Sequence, residues 1–305
     1  MNTVDLFAGL GGSSEGARAA GCNVIWAGNH WGLAVDTHAL NHPGAQHICQ
    51  DLQQADWSAV PAHDLMLASP CCQGHSHAKG KGRSDHDASR STAWAPISCL
   101  EHHRPEFFII ENVPEFTGWR LYKPWSMCLS AMGYSTQIVI TDSADAGVAQ
   151  HRRRLFIIGN RGRTAIDLDV EKIQHVTARD VIDFNAGNWT EINKPGRAKA
   201  TLSRIKNGRE AHGDQFIAPY YGSGSGQTGR SLDRPIGTIT TKARWSVING
   251  NMMRMLTIDE TKKFMGFPMD YMIPTRTKSD AIKLLGNAVV PPDIARHIDA
   301  LKRAA

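Results

Sequence analysis

Short apolar runs alternate with helix-like segments through the first 160 residues, and this alternation most constrains the fold. The runs are typical of strands covered on both faces, and the segments between them are typical of helices. Such alternation predicts an α/β fold with a doubly wound, Rossmann-like parallel sheet. The predicted strands are Thr3–Ala8, Asn23–Ala27, Asp64–Ala68, Phe107–Glu111, Thr136–Thr141 and Leu155–Gly159. The predicted helices between them are Ser13–Ala20, Leu33–Asn41, Thr92–His103 and Pro124–Met132.

The alternation stops near residue 161, where the composition also changes. Residues 151–254 carry 18 basic and 9 acidic side chains, whereas residues 1–150 carry 8 and 14. A basic segment of this kind favours contact with a polyanion such as nucleic acid. We therefore expect a first domain over 1–160 and a small domain with irregular loops over 161–254. Helix-like periodicity then returns, and we expect residues 255–305 to pack back on the first domain.

Composition excludes several classes of protein. With 41% hydrophobic and 21% charged residues, the chain is expected to be globular. No apolar run approaches the roughly 20 residues of a membrane-spanning helix. The six cysteines form no C-x-x-C pair, which argues against a zinc ribbon, and no metal site is expected. A ligand-binding turn that begins at residue 5 leaves no room for a signal peptide, so we expect a cytoplasmic protein.

A glycine-rich turn follows the first predicted strand. Gly9 and Gly11 allow positive φ and close approach of the backbone to a ligand, and the helix start beyond them offers free N–H groups. Ser14 stands where the last glycine of G-x-G-x-x-G would be. His30 and Trp31 follow the second strand, where dinucleotide-binding folds keep an acidic residue. Both features argue against a nicotinamide dinucleotide.

Three further motifs carry reactive side chains. Cys72 lies just beyond a predicted parallel strand, where α/β enzymes place their chemistry, although a buried structural cysteine is the alternative. Glu111 ends an apolar strand and is either a general acid or a solvent-exposed carboxylate. Arg152 and Arg154 can share one face of an extended segment, or belong to a basic surface run.

Together these motifs resemble the C5-cytosine-specific DNA methyltransferase family of bacterial or phage type. The resemblance spans nearly the whole chain and leaves only about 161–230 unmatched, where the family keeps its variable target-recognition region. The matching segments follow the family's order and read DLFAGLGG from Asp5, PCCQGHS from Pro70, ENV from Glu111, QHRRR from Gln150, RPIGTIT from Arg234, MGFP from Met265 and LGNAV from Leu285.

The resemblance implies a catalytic role for four residues. Cys72 is the nucleophile that adds to C6 of cytosine, and Cys71 replaces the second proline of the usual Pro-Pro-Cys-Gln. Glu111 holds or protonates N3 of the base, and Arg152 and Arg154 bind its O2. Because the target atom is inaccessible in a duplex, the cytosine must be flipped out before its C5 accepts a methyl group.

The resemblance also implies S-adenosyl-L-methionine as cofactor. The residues expected to bind it are Phe7, Gly9, Gly11, His30, Trp31, Asp51 and Asn287. His30 stands where the family commonly has a glutamate that binds both ribose hydroxyls. A neutral imidazole offers only one donor and one acceptor. We therefore expect weaker cofactor binding, or tolerance of a modified donor such as a carboxylated S-adenosylmethionine.

The resemblance implies double-stranded DNA as the partner, with a cognate restriction endonuclease as a further candidate. It implies no contact with a membrane, and we expect a monomeric enzyme. Two rivals are an RNA cytosine-5 methyltransferase of the DNA-type branch and a catalytically inactive DNA-binding relative. A zinc deaminase is excluded, because Pro70-Cys71-Cys72-Gln73 has no second cysteine at C-x-x-C spacing.

Overall fold

The chain divides into two compact units. The computed structural model describes residues 1–71, 91–162, 168, 170–220 and 228–304. The first unit contains residues 1–142, 153–172 and 288–305, and the second contains 143–152 and 173–287. The expected boundaries at 160 and 254 differ from this division. Of residues 255–305, all of which were expected to pack on the first domain, 288–305 belong to the first unit and 255–287 to the second.

Eleven strands and nine helices are assigned within the described residues. The strands are β1 (Asn2–Leu6), β2 (Asn23–Asn29), β3 (Gln46–Cys49), β4 (Leu65–Ala68), β5 (Phe107–Asn112), β6 (Tyr134–Asp142), β7 (Arg153–Arg161), β8 (Thr190–Glu191), β9 (Gln215–Pro219), β10 (Trp245–Asn249) and β11 (Met252–Met255). The helices are α1 (Gly12–Ala19), α2 (Gly32–Asn41), α3 (Trp94–His103), α4 (Tyr122–Ala131), α5 (Ala178–Val181), α6 (Lys199–His212), α7 (Ile258–Phe264), α8 (Lys278–Asn287) and α9 (Pro291–Ala304).

The first unit is built on a seven-stranded sheet of order β3-β2-β1-β4-β5-β7-β6. Strands β1 to β5 pair in parallel, and β7 runs antiparallel between β5 and β6. The α/β fold with a doubly wound sheet is therefore confirmed. Strand β3 was not predicted from the sequence.

Successive residues of the central strands β4 and β5 enter two different apolar cores, as the two-residue repeat of a strand requires. The first core lies with α1 and α9, and the second lies with α3 and α4. The first contains Leu65, Leu67, Phe107 and Ile109, and the second contains Met66, Ala68, Phe108 and Ile110. Both faces of the sheet are thus covered, which explains why these strands are uniformly apolar in sequence.

Two glycines of α1 allow α9 and the residues before it to pack closely on that helix. A Cβ built on Gly12 would lie 2.0 Å from the Val289 carbonyl oxygen. One built on Gly16 would lie 2.5 Å from the carbonyl oxygen of Pro291, the first residue of α9. The return of the chain at residue 288 therefore depends on two positions without side chains, directly after the glycine turn.

The second unit contains an antiparallel sheet of order β8-β11-β10-β9, with the 14-residue helix α6 packed against β9. The ring of Phe216 sits against Gly208 of α6 and against Gly229, where a Cβ would lie 2.3 Å and 2.2 Å from it. This sheet and helix are regular elements within 161–254, where irregular loops were expected.

A buried ion pair joins helix α7 to strand β11 of the second unit. Arg254 of β11 donates to Glu260 of α7, with Nη2 2.6 Å from Oε1, and both side chains are almost fully buried. The same guanidinium lies over the ring of Trp189 at 4.9 Å and donates to the Asp183 carbonyl. These contacts hold the start of the 255–287 segment in this unit. Among the described residues, no helix is both long enough and apolar enough to span a bilayer.

Candidate active site

Predicted site residues of the first unit gather where the parallel strands end. Leu6 pairs with Gly28 and with Ala68, and Asn29 pairs with Cys49, so these strands finish side by side. The strand order reverses between β1 and β4, and ligands of doubly wound sheets bind at such a switch point. The predicted residues at this edge are Phe7, Gly9, Gly11, His30, Trp31, Asp51 and Glu111.

The glycine turn after β1 contains three residues in the left-handed region. Phe7 has a φ of 61°, Gly9 of 58° and Gly11 of 107°. A non-glycine residue in that region costs about 1–3 kcal/mol, so its surroundings must hold it there. The Ser69 hydroxyl donates to the Phe7 carbonyl at 3.2 Å, and the Ala8 N–H donates to the Gly28 carbonyl at 3.1 Å. Both neighbouring strands thus hold the turn.

The ends of β2 and β3 carry the other residues expected to bind the cofactor. Trp31 caps α2, is half-buried, and donates its N–H to Asn29 Oδ1 at 2.9 Å. His30 and Asp51 are exposed, and Asp51 Oδ1 accepts the Gln53 N–H at 3.0 Å. Two half-buried aromatic rings, an open turn and an exposed carboxylate lie on three adjacent strands. This donor and acceptor set fits an adenosyl group.

The two residues before the predicted nucleophile are held by hydrogen bonds. Cys72 itself lies outside the described residues. The N–H of Cys71 donates to the Thr92 hydroxyl at 3.1 Å, and the Asn112 amide donates to the Pro70 carbonyl at 3.2 Å. The segment that leads into Cys72 is therefore fixed to the end of β5 and to the stretch before α3.

Glu111 and Arg154 form an ion pair on neighbouring strands. Arg154 Nε lies 2.9 Å from Glu111 Oε1, and the two side chains are 15% and 11% exposed. The pairing of Glu111 with Phe156 in the sheet brings Arg154 into reach of the carboxylate. This pair places a carboxylate and a guanidinium at the edge that also carries Pro70 and Cys71.

Arg152 belongs to the second unit and has a different environment. Its guanidinium is buried and donates to the carbonyl of Ile239 at 3.0 Å and of Gly286 at 3.2 Å. Gly286 precedes Asn287, an exposed residue at the end of α8 that was also predicted to bind the cofactor. Arg152 therefore fixes the backbone next to Asn287.

Gln150 has a similar anchoring role in the second unit, which the sequence did not suggest. Its amide donates to the Phe264 carbonyl at 2.6 Å and accepts the Ile239 N–H at 2.7 Å. Asn112 and Thr92 were likewise not predicted to act. Gln150 lies inside the motif QHRRR and Asn112 inside the motif ENV. Their place in these motifs is the sequence feature that could have identified them.

The second unit has an excess of positive charge. Residues 143–152 and 173–287 contain 18 basic and 11 acidic side chains. Several basic residues line a cleft beside the start of α6, where Arg197 donates to the hydroxyl of Tyr220 at 3.2 Å. The cleft is lined by Lys194, Arg197, Arg204 and Tyr220 among others. Within the described residues, no group of three metal-ligating side chains is assembled.

The sheet, with β7 antiparallel between β5 and β6, and the ligand-binding edge define a Rossmann-like methyltransferase fold. A family model described as C-5 cytosine-specific DNA methylase matches residues 1–303. The chain therefore belongs to the C-5 cytosine-specific DNA methylase family, and the family predicted from its motifs is confirmed.

Sequence relatives agree with this assignment, and a solved structure shares the fold. Type II methyltransferase M.AgeI of Thalassovita gelatinovora is 33% identical over 179 residues, which cover 55% of this chain and 41% of that protein. Type II methyltransferase M.HgiDI of Herpetosiphon aurantiacus is 28% identical over 299 residues, 95% of this chain and 90% of that protein. The Entamoeba histolytica methyltransferase EhMeth has a TM-score of 0.70 at 16% identity, over 99% of this chain and 98% of that one, which shows the shared fold.

Proposed function

We propose that this chain is a DNA cytosine-5 methyltransferase that modifies cytosine in a specific duplex site with S-adenosylmethionine as donor. The observation that carries this proposal is the ion pair of Arg154 with Glu111. It lies at the sheet edge beside Asn112, which holds the Pro70 carbonyl two residues before Cys72. An acid, a cation and a thiol-bearing segment at one edge support addition to a pyrimidine ring.

Cys72 is the nucleophile of this reaction. Its thiolate adds to C6 of the flipped cytosine, forming an S–C6 bond and making C5 electron-rich. C5 then bonds to the methyl carbon as the bond from that carbon to the donor's sulfonium sulfur breaks, with its electron pair staying on sulfur, and the C5 proton leaves to solvent. The electron pair of that C–H bond restores the C5–C6 double bond and expels the thiolate. The base thus exchanges one hydrogen for a methyl group, and Cys72 is regenerated.

Glu111 and Arg154 favour the addition step by acting on the base. The Glu111 carboxylate holds N3 by accepting a hydrogen bond once N3 has taken a proton from solvent, which offsets the charge that the ring gains from the thiolate. N3 returns that proton to solvent when the thiolate leaves. Arg154 keeps the carboxyl in place through the 2.9 Å contact and offers guanidinium donors to O2. Both side chains are mostly buried, and electrostatic interactions are stronger there than in bulk water.

S-adenosylmethionine supplies the electrophilic methyl group when it is bound. Phe7 and Trp31 would flank its adenine, and Asp51 would accept a hydrogen bond from the adenine amino group. His30 would offer one donor or acceptor to the ribose hydroxyls. Gly9 and Gly11 let the backbone approach the ligand, because neither has a side chain in the way. Asn287 is the remaining residue proposed to bind it.

Arg152 acts in this proposal as a positioning residue. Its two hydrogen bonds to backbone carbonyls hold residues 239 and 286, and so the segment that ends in Asn287. The other basic residues of the second unit are the proposed contacts to DNA phosphates, and residues 161–254 the proposed target-recognition region. Duplex DNA is the partner of a monomeric enzyme, and the Type II relatives support a cognate restriction endonuclease.

The test is methyl transfer from labelled S-adenosylmethionine to duplex DNA, followed by nucleoside mass spectrometry. We expect 5-methylcytosine with the wild-type protein and none with Cys72→Ser, because a hydroxyl is far less ionised than a thiol. Cys71→Ser is the matched control and should remain active. Trapping on 5-fluorocytosine DNA should capture Cys72. Capture of Cys71, or methylation of RNA in place of DNA, contradicts the proposal.

A further inference from the structure

A chain of side-chain hydrogen bonds lies directly beneath the glycine turn and has no part in the proposed chemistry. The Ser14 hydroxyl lies 2.7 Å from Asp5 Oδ2, and His38 Nε2 lies 2.9 Å from that hydroxyl. His38 Nδ1 in turn lies 2.8 Å from Nε2 of His47. Asp5, Ser14 and His38 are buried, whereas His47 is half-buried. The chain therefore connects a buried carboxyl to a ring at the surface of the first unit.

This chain braces the turn from both sides. Asp5 lies in β1 just before the turn, and Ser14 lies in the first helical turn after it. The backbone N–H of Ser14 also donates to the Asp5 carboxyl. A second histidine, His42, donates to the carbonyl of Gly11, and its ring centroid lies 4.6 Å from that of His38. A change in the strength of these hydrogen bonds therefore alters how firmly the turn is held at both of its ends.

The hydrogen bonds are consistent in either of two directions. With Asp5 ionised, Ser14 donates to the carboxylate, His38 donates from Nε2 to Ser14, and His47 donates to His38 Nδ1 in place of its hydrogen bond to the Ala45 carbonyl. With Asp5 protonated, every donor and acceptor exchanges role, and neutral His38 changes to the other tautomer. One proton on Asp5 therefore decides the direction of the whole chain.

Burial gives Asp5 a protonation state that changes near neutral pH. Burial raises the pKa of Asp5 to about 7, against the lowering effect of its hydrogen bonds from Ser14. Asp5 Oδ1 has no hydrogen-bond partner among the described residues, which favours the neutral carboxyl. Strands β2 and β4, which flank β1, contain no titratable side chain.

Two of the neighbouring histidines, His38 and His42, remain neutral over the same pH range. Burial lowers the pKa of His38 well below its usual value, that of His42 to about 4, and that of His47. The other charged groups near this cluster come from α1, where Glu15 and Arg18 form an ion pair. Helix α9, packed on α1, adds Lys302, which donates to the Ala20 carbonyl, together with Asp293 and Arg296.

We propose that this hydrogen-bond chain is a proton-controlled brace of the glycine turn, whose affinity for a sulfonium nucleoside rises when Asp5 loses its proton. An ionised Asp5 receives stronger, charge-assisted bonds from Ser14, so the first turn of α1 is held more firmly against β1. Its negative charge beneath the turn also favours a cationic ligand. The ligand class rests on the proposed function, whereas the brace itself is a property of the cofactor-free protein.

The tautomer of His38 tests the brace without any ligand. In ¹⁵N-histidine-labelled protein titrated from pH 5.5 to 8.5, we expect the two His38 ring nitrogens to exchange their protonated and unprotonated shifts near pH 7. His38→Gln identifies the signals. Asp5→Asn and Ser14→Ala should each remove the transition. His63→Gln is the matched control, since His63 is also buried and bonds to the Pro61 carbonyl outside the cluster.

Calorimetric binding of S-adenosylmethionine and of S-adenosylhomocysteine, which lacks the sulfonium charge, tests the consequence. We expect wild-type affinity for S-adenosylmethionine to rise about fivefold from pH 6 to 8, the part of a one-unit fall in the pKa of Asp5 on binding that lies in this interval. The rise should be smaller for S-adenosylhomocysteine and absent in Asp5→Asn. The proposed brace is contradicted if the His38 tautomer does not change with pH, or if the tautomer transition is still seen in Asp5→Asn. Absence of binding at every pH, with the tautomer transition intact, contradicts the proposed function alone.

Discussion

Arg154 Nε lies 2.9 Å from Oε1 of Glu111, and the two side chains reach each other across the antiparallel pair β5–β7. The contact joins the ENV motif to the QHRRR motif, which are about 40 residues apart in sequence. In the proposed mechanism, the guanidinium both orients the carboxyl and adds a positive charge where the bound base would gain electron density.

Arg154→Met should lower the rate of methyl transfer by about 100-fold, because it removes a preorganised donor from a mostly buried site. Arg154→Lys keeps the charge but loses the planar guanidinium, so its rate should lie between those of the wild type and Arg154→Met. Single-turnover transfer to duplex DNA is the measurement. Arg153→Met, a change at the exposed neighbour, is the matched control. Equal rates for Arg154→Met and Arg153→Met would falsify the role given to the ion pair.

Arg152→Lys should mainly destabilise the second unit. A lysine cannot reach both backbone carbonyls as the guanidinium does, and one lost charge-assisted hydrogen bond costs about 1.5–3 kcal/mol. We expect the melting temperature to fall by roughly 5 °C in differential scanning calorimetry. Arg154→Lys, measured alongside, should melt close to the wild type. A normal melting temperature with lost turnover would instead indicate that Arg152 contacts the base directly.

His30→Glu should tighten the binding of S-adenosylmethionine. The side chain is exposed at the end of β2, and a carboxylate there can accept hydrogen bonds from both ribose hydroxyls. Because the site is exposed, we expect a gain of about tenfold in affinity, near the lower end for a charge-assisted bond. Isothermal titration calorimetry measures it, with the exposed His102→Glu as control. Unchanged or weaker binding by His30→Glu would show that this side chain does not face the ribose.

The sheet of the first unit could be predicted because its strands are apolar on both faces, as in Phe107–Asn112. Strand β3 could not, since Gln46–Cys49 lies at the sheet edge, contains no apolar run and is only half-buried. Helix α6 was also missed. Its sequence contains Leu202 and Ile205 but few other apolar residues, so the helical periodicity is weak. The helix is held instead by a tertiary contact, in which Phe216 packs against Gly208.

The candidate site was predictable where residues follow one another in a motif. Glu111 and Arg154 were found in this way, and the register of β5 with β7 then accounts for their contact. The hydrogen-bond chain from Asp5 was not predictable, because His38 reaches Ser14 from another helix, 24 residues away in sequence. A contact of this kind depends on how α1 and α2 pack, which periodicity alone does not specify.

Gly16→Ala should destabilise the first unit, although alanine is the better helix former by about 1 kcal/mol. The added Cβ would lie 2.5 Å from the Pro291 carbonyl oxygen and 2.7 Å from Ile294 Cβ, so α9 must move away. Overpacking of this kind costs about 1–3 kcal/mol. Urea unfolding measures the difference. Gly32→Ala in α2 is the control, because its Cβ would meet only Cys49 Sγ at 3.9 Å and should cause no loss.

His297→Leu should make the protein less sensitive to acid. His297 is buried in α9 with its ring centroid 4.3 Å from that of Phe156, and its Nδ1 has no hydrogen-bond partner within the described part of the chain. Burial, with a smaller effect of Arg296, lowers the pKa of His297 to about 3, from the 6.5 of an exposed histidine. Between these values the unfolded chain binds the proton and the folded protein does not. Stability from this residue is therefore complete above pH 6.5 and is lost as the pH falls toward 3.

The wild type should lose about 2 kcal/mol at this position between pH 6.5 and pH 5, and His297→Leu should not. Urea unfolding at pH 5 and pH 7.5 gives the change in unfolding free energy between the two pH values for each protein. Comparing these two changes cancels any effect of altered packing in the variant. His102→Leu, at an exposed histidine of α3, should retain the wild-type loss. If His297→Leu lost as much stability as the wild type over this interval, the buried ring would be charged in the folded protein, and the neutral packing of α9 against β7 would be wrong.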